Sequence, residues 1–250
     1  MFYSKKLKKF KHINHCFFTK NGGASKGIYR SLNCGKGSKD KKKNVIKNLK
    51  IVSNKIGVKF ENLKLMYQTH SNKVIVLKKT NLLKSLKSDA IVTNIKSYAL
   101  GVVTADCVPI ILYNSINNHI GCIHAGWKGA ITGIIEKTVI KLKSKNNKNK
   151  IFASVGPCIG KSSYEVDLSF YKMFLNKSKK NSIYFSSSKK NKKLFNLRKY
   201  VSDKLIKLKV SVDHVNHDTF KEKSNFFSYR RSQKLHENDY GRFISVISLI

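Results

Sequence analysis

The sequence predicts a single α+β domain built on mixed sheets, and three observations carry that expectation. Between residues 63 and 125, short runs rich in Val, Ile and Tyr follow one another, separated by turn residues. The helix-period stripes stand apart from these runs instead of alternating with each strand, which disfavours a doubly wound parallel sheet. Only two of the 250 residues are proline, and no linker-like stretch divides the chain. A chain of this length buries most of its apolar surface in one core without disulfides or structural metal.

In chain order, residues 17–37 (FFTKNGGASKGIYRSLNCGKG) are glycine-rich and read as turns joining short strands. Val45, Leu49, Val52 and Ile56 then recur at helical spacing behind Asp40, which predicts a helix with Asp40 as its N-cap. LKLMYQT, KVIVL, DAIVTN, ALGVVTA, PIILYN and HIGCIHA predict six strands. KGAITGIIEKTVIKLK predicts a helix with Ile131, Ile134, Ile135, Thr138 and Val139 on one stripe. IFASVG is expected as a strand, LSFYKMFL as a helix, and residues 197–208 as another helix. VSVDHV and FISVISLI close the chain as strands. Solvated loops and helix faces account for the lysine tracts at 41–43, 141–150, 177–180 and 189–193.

Composition restricts the function. Lys and Arg total 51 against 13 Asp and Glu, a formal net charge of +38. Only five of the 51 are arginine (Arg30, Arg198, Arg230, Arg231 and Arg242), although arginine's planar fork is the side chain suited to base reading and phosphate clamping. The lysines are also spread along the chain, as a composition bias on solvated faces would place them. These features argue against a specific nucleic-acid partner. A transmembrane helix is excluded too, because no apolar run approaches the ~18 residues required. The N-terminal MFYSKKLKKFKH lacks the apolar segment and cleavage site of a signal peptide. Five widely spaced cysteines with no CxxC pair read as reduced thiols, and the expected location is cytoplasmic.

One stretch breaks the basic pattern. Residues 97–127 contain neither Lys nor Arg, and Asp106 is their only formal charge. Burial explains most of that exclusion, yet Asp106, Cys107, His119, His124 and Trp127 share the window. Cys107 lies between two predicted strands, His124 closes the next one, and His70 ends LKLMYQT. Three strand ends carrying His, Cys and His make a candidate zinc site. Catalytic zinc commonly takes three protein ligands and leaves a fourth position open. Buried structural roles for the three residues remain the alternative on residue type alone.

The motifs QTHSNKV, TADCVPIILYN, IGCIHAGWKG, VGPCIGKSSYEV and FFSYRR…GR, with FFTKNGGASKGIYRSLNCG before them, resemble the YfiH/laccase-domain family. The resemblance runs in order from about residue 16 to residue 246. It implies an αββα-type sandwich of mixed sheets similar to the cytotoxic necrotizing factor fold, and metal ligands at His70, Cys107 and His124. The implied activity is zinc-dependent phosphorolysis of adenosine, inosine, guanosine and methylthioadenosine, accompanied by deamination of adenosine. Purine nucleosides and phosphate are then the partners. Deamination needs an activated water at C6 of adenine and an acid/base group that is not a ligand. Asp106 is the candidate for that role, with a supporting role for its neighbours as the alternative.

Arg230 and Arg231 are the candidates for phosphate, against an ordinary strand with one arginine on each face. Lys20 stands where the family is expected to carry arginine. Asn33, Gly22 and Gly23 are candidates for a pocket wall, and Tyr164 and Glu165 for a strand end. Asp218-Thr219 replaces an expected Cys-Thr, and the nearby His214 and His217, three apart, would face opposite sides of a strand.

Three other functions compete. Copper could occupy a His₂Cys site with Met66 as weak axial ligand, giving a polyphenol oxidase. A multicopper laccase, however, needs many histidines, commonly in His-x-His pairs, and this chain has eight and no such pair. Cys107 and His124 could instead be the nucleophile and base of a hydrolase acting on peptidoglycan precursors. A non-enzymatic basic binder would show steeply salt-dependent binding indifferent to Cys107→Ala.

Overall fold

The computed structural model describes residues 1–82, 86–143 and 149–250. β1 (Ile13–Phe17) is followed by α1 (Lys42–Ile56), β2 (Leu63–Leu65), β3 (Val74–Val76), β4 (Ala90–Thr93) and β5 (Ala99–Thr104). β6 (Val108–Asn114), β7 (His119–Ala125), α2 (Trp127–Ile131), α3 (Ile134–Leu142) and β8 (Ile151–Val155) come next. The chain continues through β9 (Glu165–Asp167), α4 (Leu168–Lys177), β10 (Phe185–Ser187), β11 (Lys192–Phe195) and α5 (Leu197–Lys207). It closes with β12 (Ser211–His214), α6 (Tyr229–Lys234) and β13 (Phe243–Leu249).

Two mixed sheets face each other. The first has the order β1-β13-β5-β2, antiparallel except for the parallel pair of β2 and β5. The second runs β12-β8-β6-β7-β4-β3, parallel at both edges and antiparallel inside. Strand alternation sorts the side chains into layers. On β13, Ile247 and Leu249 face the core between the sheets with Leu100, Val102, Ile111 and Ile120, whereas Ile244 and Val246 face α1. On β6, Ile110 and Leu112 face α3 and α5. The layer order is therefore α1, first sheet, second sheet, α3 with α5, the mixed-sheet sandwich expected. A small third sheet, β10-β11-β9, packs its aromatic face (Phe185 and Phe195) against α4 and α5.

Several local expectations change. Asp40 does not cap α1; Lys41 holds the cap position with no side-chain bond. The Asp40 carboxylate instead accepts from Ser25 Oγ at 2.6 Å and Asn33 Nδ2 at 3.0 Å, a tertiary competition that local helix signals cannot reveal. The helix expected over 128–143 breaks at Gly133, whose φ of +95° ends α2 and starts α3. LKLMYQT forms a strand only over its first three residues. FFSYRR enters a helix, not a strand, because Ser228 Oγ accepts the Arg231 N–H as an N-cap of α6. β1 ends on Phe17, the first residue of the stretch read as turns, and within that stretch Gly27–Tyr29 forms a 3₁₀ turn. Part of the 141–150 lysine tract lies outside the described residues. Among the described residues, no helix is long and apolar enough to cross a membrane. All five cysteines are free.

Candidate metal centre

Two crossings between the sheets and one strand end bring the chemistry together. β2 leads from the first sheet to β3 in the second through residues 66–73, which carry His70. β5 leads to β6 in the same direction through residues 105–107, which carry Cys107. β7 supplies His124, on the same side of the strand as Ile120 and Cys122, which face the first sheet. The nitrogen and sulfur donors of His70, Cys107 and His124 all lie within 4.8 Å of one another. His70 Nε2 is 3.7 Å from Cys107 Sγ, and the two imidazole rings cross edge-to-face with centroids 4.7 Å apart.

The backbone is bent to make this possible. His70 and Asp106 both have left-handed conformations, with φ of +58° and +88°. Such conformations are costly for residues with a Cβ and persist where the surrounding structure enforces them. Gly126 makes room on the third side. A Cβ there would lie 2.9 Å from His70 Cδ2 and 3.1 Å from Cys107 Sγ.

A carboxylate not recognised from the sequence organises the centre. Asp89, fully buried just before β4, accepts the backbone N–H groups of Thr69, His70 and Ser71 at 3.2, 3.0 and 2.7 Å. It also accepts Ser71 Oγ at 2.7 Å and lies 2.8 Å from His124 Nδ1. Burial alone would raise its pKa, but the bonds from His124 and Ser71 hold the carboxyl well below the usual range. Nδ1 of His124 is thereby committed to Asp89, which leaves Nε2 for the centre. The only sequence sign of Asp89 was a single acid opening the apolar strand AIVT.

The thiol and the imidazole shift each other. Burial would push Cys107 up, but the His124 charge and hydrogen bonds from His124 and His70 outweigh it and hold the thiol below its ordinary range. Burial would push His124 down, but the Cys107 charge and the Asp89 bond hold it up. Two imidazoles and a readily ionised thiol form a donor set suited to a metal such as zinc. Among the described residues no second group of three such donors converges in this way. Of the other histidines, His119 bonds within its own turn, His214 bonds Ser202 Oγ, and His217 pairs with Glu222.

Two cavities share His70, Ala105 and Cys107 as a common wall. One, of about 290 Å³, touches all three donors and is bounded by Lys36, Tyr67, Gln68, Tyr240 and Arg242. Met66 also lines this cavity and packs into the core between the sheets. The other, of about 220 Å³, is aromatic, with Trp127, Tyr164 and Tyr229 in its walls beside Arg230.

The remaining expected residues fall as follows. Asp106 is buried and accepts Thr219 Oγ1 at 2.7 Å, Ser228 Oγ at 2.9 Å and the Arg230 N–H at 2.6 Å. Burial pushes its carboxyl up against the pull of those donors. Arg230 donates to the Glu165 carbonyl at 2.6 Å and lies over the Tyr164 ring at 5.3 Å. Arg231 donates to the carbonyls of Thr219, Phe220 and Phe226. It lines a third cavity with Lys20 and Arg30 that includes none of the three donors. Asn33 is buried, its Oδ1 accepting the N–H groups of Gly35 and Arg242. Gly22 has a φ of +83°, and a Cβ on Gly23 would meet the Ser31 carbonyl at 2.4 Å.

Comparison with known proteins places this arrangement. Residues 14–250 match the family described as multi-copper polyphenol oxidoreductase laccase. A purine nucleoside phosphorylase of Haemophilus influenzae is 33% identical over 240 residues, covering 95% of this chain and 94% of that protein. A purine nucleoside phosphorylase of Rickettsia conorii is 36% identical over 213 residues, covering 83% and 88%. The crystal structure of YfiH from Bacillus licheniformis superposes with a TM-score of 0.87 at 27% identity, covering 95% of this chain and 93% of that one. A Neisseria meningitidis protein does so with a TM-score of 0.85 at 29% identity, covering 96% and 95%.

Proposed function

The chain belongs to the YfiH/laccase-domain family, and from that membership we propose that it is a cytoplasmic, zinc-dependent purine nucleoside phosphorylase that also deaminates adenosine. Its substrates are adenosine, inosine, guanosine and methylthioadenosine, with phosphate as the second reactant. The observation that carries the reading is the convergence of His70, Cys107 and His124 beside an aromatic chamber whose wall includes His70 and Cys107. Trp127, Tyr164 and Tyr229 offer faces on which a purine can stack. His70, Cys107 and His124 would hold the zinc. When bound, zinc supplies a Lewis acid and lowers the pKa of water at its open position.

This chain's own residues divide the remaining work. Asp89 fixes the His124 ring and the turn that carries His70. Asp106, whose two oxygens already take three donors, acts as a positioning residue that ties α6 and Thr219 to the Cys107 segment. Arg230 contacts the substrate from the chamber wall. Arg231, spread over three carbonyls, braces the 219–226 loop. The pairing of β1 with β13 joins the two ends of the chain in one sheet and supports reading it as one domain.

A polyphenol oxidase finds less support, because among the described residues no further histidine joins the trio and a laccase cluster would need many more. A second reading does have a specific observation behind it: Asp89, His124 and Cys107 are arranged as the orienting acid, base and nucleophile of a cysteine hydrolase. His70, a further nitrogen close to the sulfur, has no role in that relay and a direct one in a metal site. Metal content separates the two. Purified protein carrying one tightly bound zinc, and converting adenosine with phosphate to adenine and ribose 1-phosphate, supports the phosphorylase. Metal-free protein covalently labelled at Cys107 by a substrate analogue supports the hydrolase.

A further inference from the structure

The sequence points to Arg230 and Arg231 for phosphate, but the geometry points to a different pair: we infer that Lys36 and Arg242 hold the attacking phosphate, in the cavity across the trio from the aromatic chamber. The inference rests on the phosphorylase reading and deepens it. Arg231 is committed to three carbonyls, and its cavity includes none of the three donors. Arg198 is committed to Cys158 Sγ and the His217 carbonyl. Arg230 is bound to the Glu165 carbonyl and stacked on Tyr164, inside the chamber suited to the base.

Arg242 differs from Arg198 and Arg231 in making a single side-chain hydrogen bond, and from Arg230 in its cavity, because the Asp106 carboxylate lines the Arg230 chamber. The Arg242 guanidinium lies 4.2 Å over the Tyr240 ring and makes one hydrogen bond, to the Tyr240 carbonyl at 3.2 Å. It has no ion pair among the described residues, and neither has Lys36. The acid that feels its charge, Asp239, is already occupied by the Tyr29 hydroxyl and the Lys39 N–H. No carboxylate lines the cavity, which does reach His70, Cys107 and His124.

The pair is also built in place. Asn33, fully buried, binds the Gly35 and Arg242 N–H groups through one oxygen, and the Cys34 N–H donates to the Arg242 carbonyl. The loop bearing Lys36 and the strand end bearing Arg242 are thus fastened together. Gly35 lets them approach, since a Cβ there would lie 2.8 Å from Arg242 Cδ. A dianionic phosphate between an ammonium and a guanidinium gains ion pairs that neither cation finds among the described residues. In the reaction a phosphate oxygen bonds to C1′ of the ribose as the C1′–N9 bond breaks. The electron pair leaves on the purine, which takes up the proton of the hydrogen phosphate.

The test combines inorganic phosphate binding, followed by ³¹P line broadening, with steady-state phosphorolysis of adenosine. Lys36→Gln, on an exposed loop where folding is not at stake, should raise KM for phosphate about fivefold, and Lys36→Gln/Arg242→Gln more than twentyfold. KM for adenosine should move less than threefold, and Arg242→Lys should recover part of the loss. Unchanged phosphate KM and line broadening in Lys36→Gln and the double variant would overturn the inference while leaving the phosphorylase reading intact, as would parallel rises in both KM values. If the unaltered protein forms no ribose 1-phosphate, the functional reading fails. The phosphate-binding comparison then still decides whether this pair is an anion site.

Discussion

The Asp89 carboxylate lies 2.8 Å from His124 Nδ1 and accepts the His70 N–H at 3.0 Å, so one buried side chain sets two arms of the trio. Replacing it by Asn turns an amide NH₂ either toward these two donors, which share Oδ1, or toward the Thr69 and Ser71 N–H groups on Oδ2 that hold the His70 turn. Asp89→Asn should therefore weaken zinc binding by about 10–100-fold. Competition with a colorimetric chelator reads that loss directly, and an unchanged affinity would mean that Asp89 serves the fold alone.

Gly126 sits against the other side of the same centre. A methyl group at this position presses on His70 Cδ2 and Cys107 Sγ from 2.9 and 3.1 Å. Gly126→Ala should fold, because its φ of −70° suits alanine, yet lose metal by displacing two donors. Circular dichroism with metal analysis of the purified variant checks both halves of that statement.

Arg230 and Arg231, adjacent in sequence, should fail in different ways. Arg231→Gln gives up bonds to three carbonyls and should cost about 1–3 kcal/mol of stability. Arg230→Gln keeps the backbone N–H that binds Asp106 and should chiefly raise KM for the nucleoside. Urea melts and kinetics on the two variants give opposite patterns if the assignment holds. Matching patterns would contradict it.

Acid sensitivity should come in part from His15. Burial lowers its pKa to about 4 from an ordinary 6.5, against the attraction of Asp213, and its Nε2 accepts the Ser4 N–H at 2.9 Å. Between those two values the unfolded chain binds a proton that the folded chain refuses. Stability is thus fully present above pH 6.5 and falls as the pH drops toward 4, by up to about 3 kcal/mol. His15→Gln keeps an acceptor for Ser4 and removes the titration, so its urea midpoint should vary less with pH than that of the unaltered protein. Equal slopes would exclude His15 as the cause.

The sequence displays the strands, the trio and the family because these are patterns of period two, unusual residue types and ordered motifs. His70, Cys107 and His124 were legible as Zn-type donors at predicted strand ends. Asp89 was not: its importance lies in donors from two distant segments, residues 69–71 and His124, brought together only by folding. The sequence offers Arg230 and Arg231 together as candidates for phosphate, with a strand carrying them on opposite faces as the alternative. The Ser228 cap made that segment helical, sending one guanidinium toward the aromatic chamber and the other to loop carbonyls. In the sequence Arg242 is only one of five arginines, because its availability depends on the Asn33 clamp and on the engagement of Asp239 by Tyr29 and Lys39.

The central claim is that His70, Cys107 and His124 hold one zinc that the purine chemistry requires. Titrating metal-depleted protein with zinc, while following adenine release from adenosine and phosphate, tests it most directly. The account predicts activity rising linearly to a break at one equivalent, with Cys107→Ala flat throughout. Full activity in the metal-depleted protein, or an undiminished response in Cys107→Ala, would contradict it.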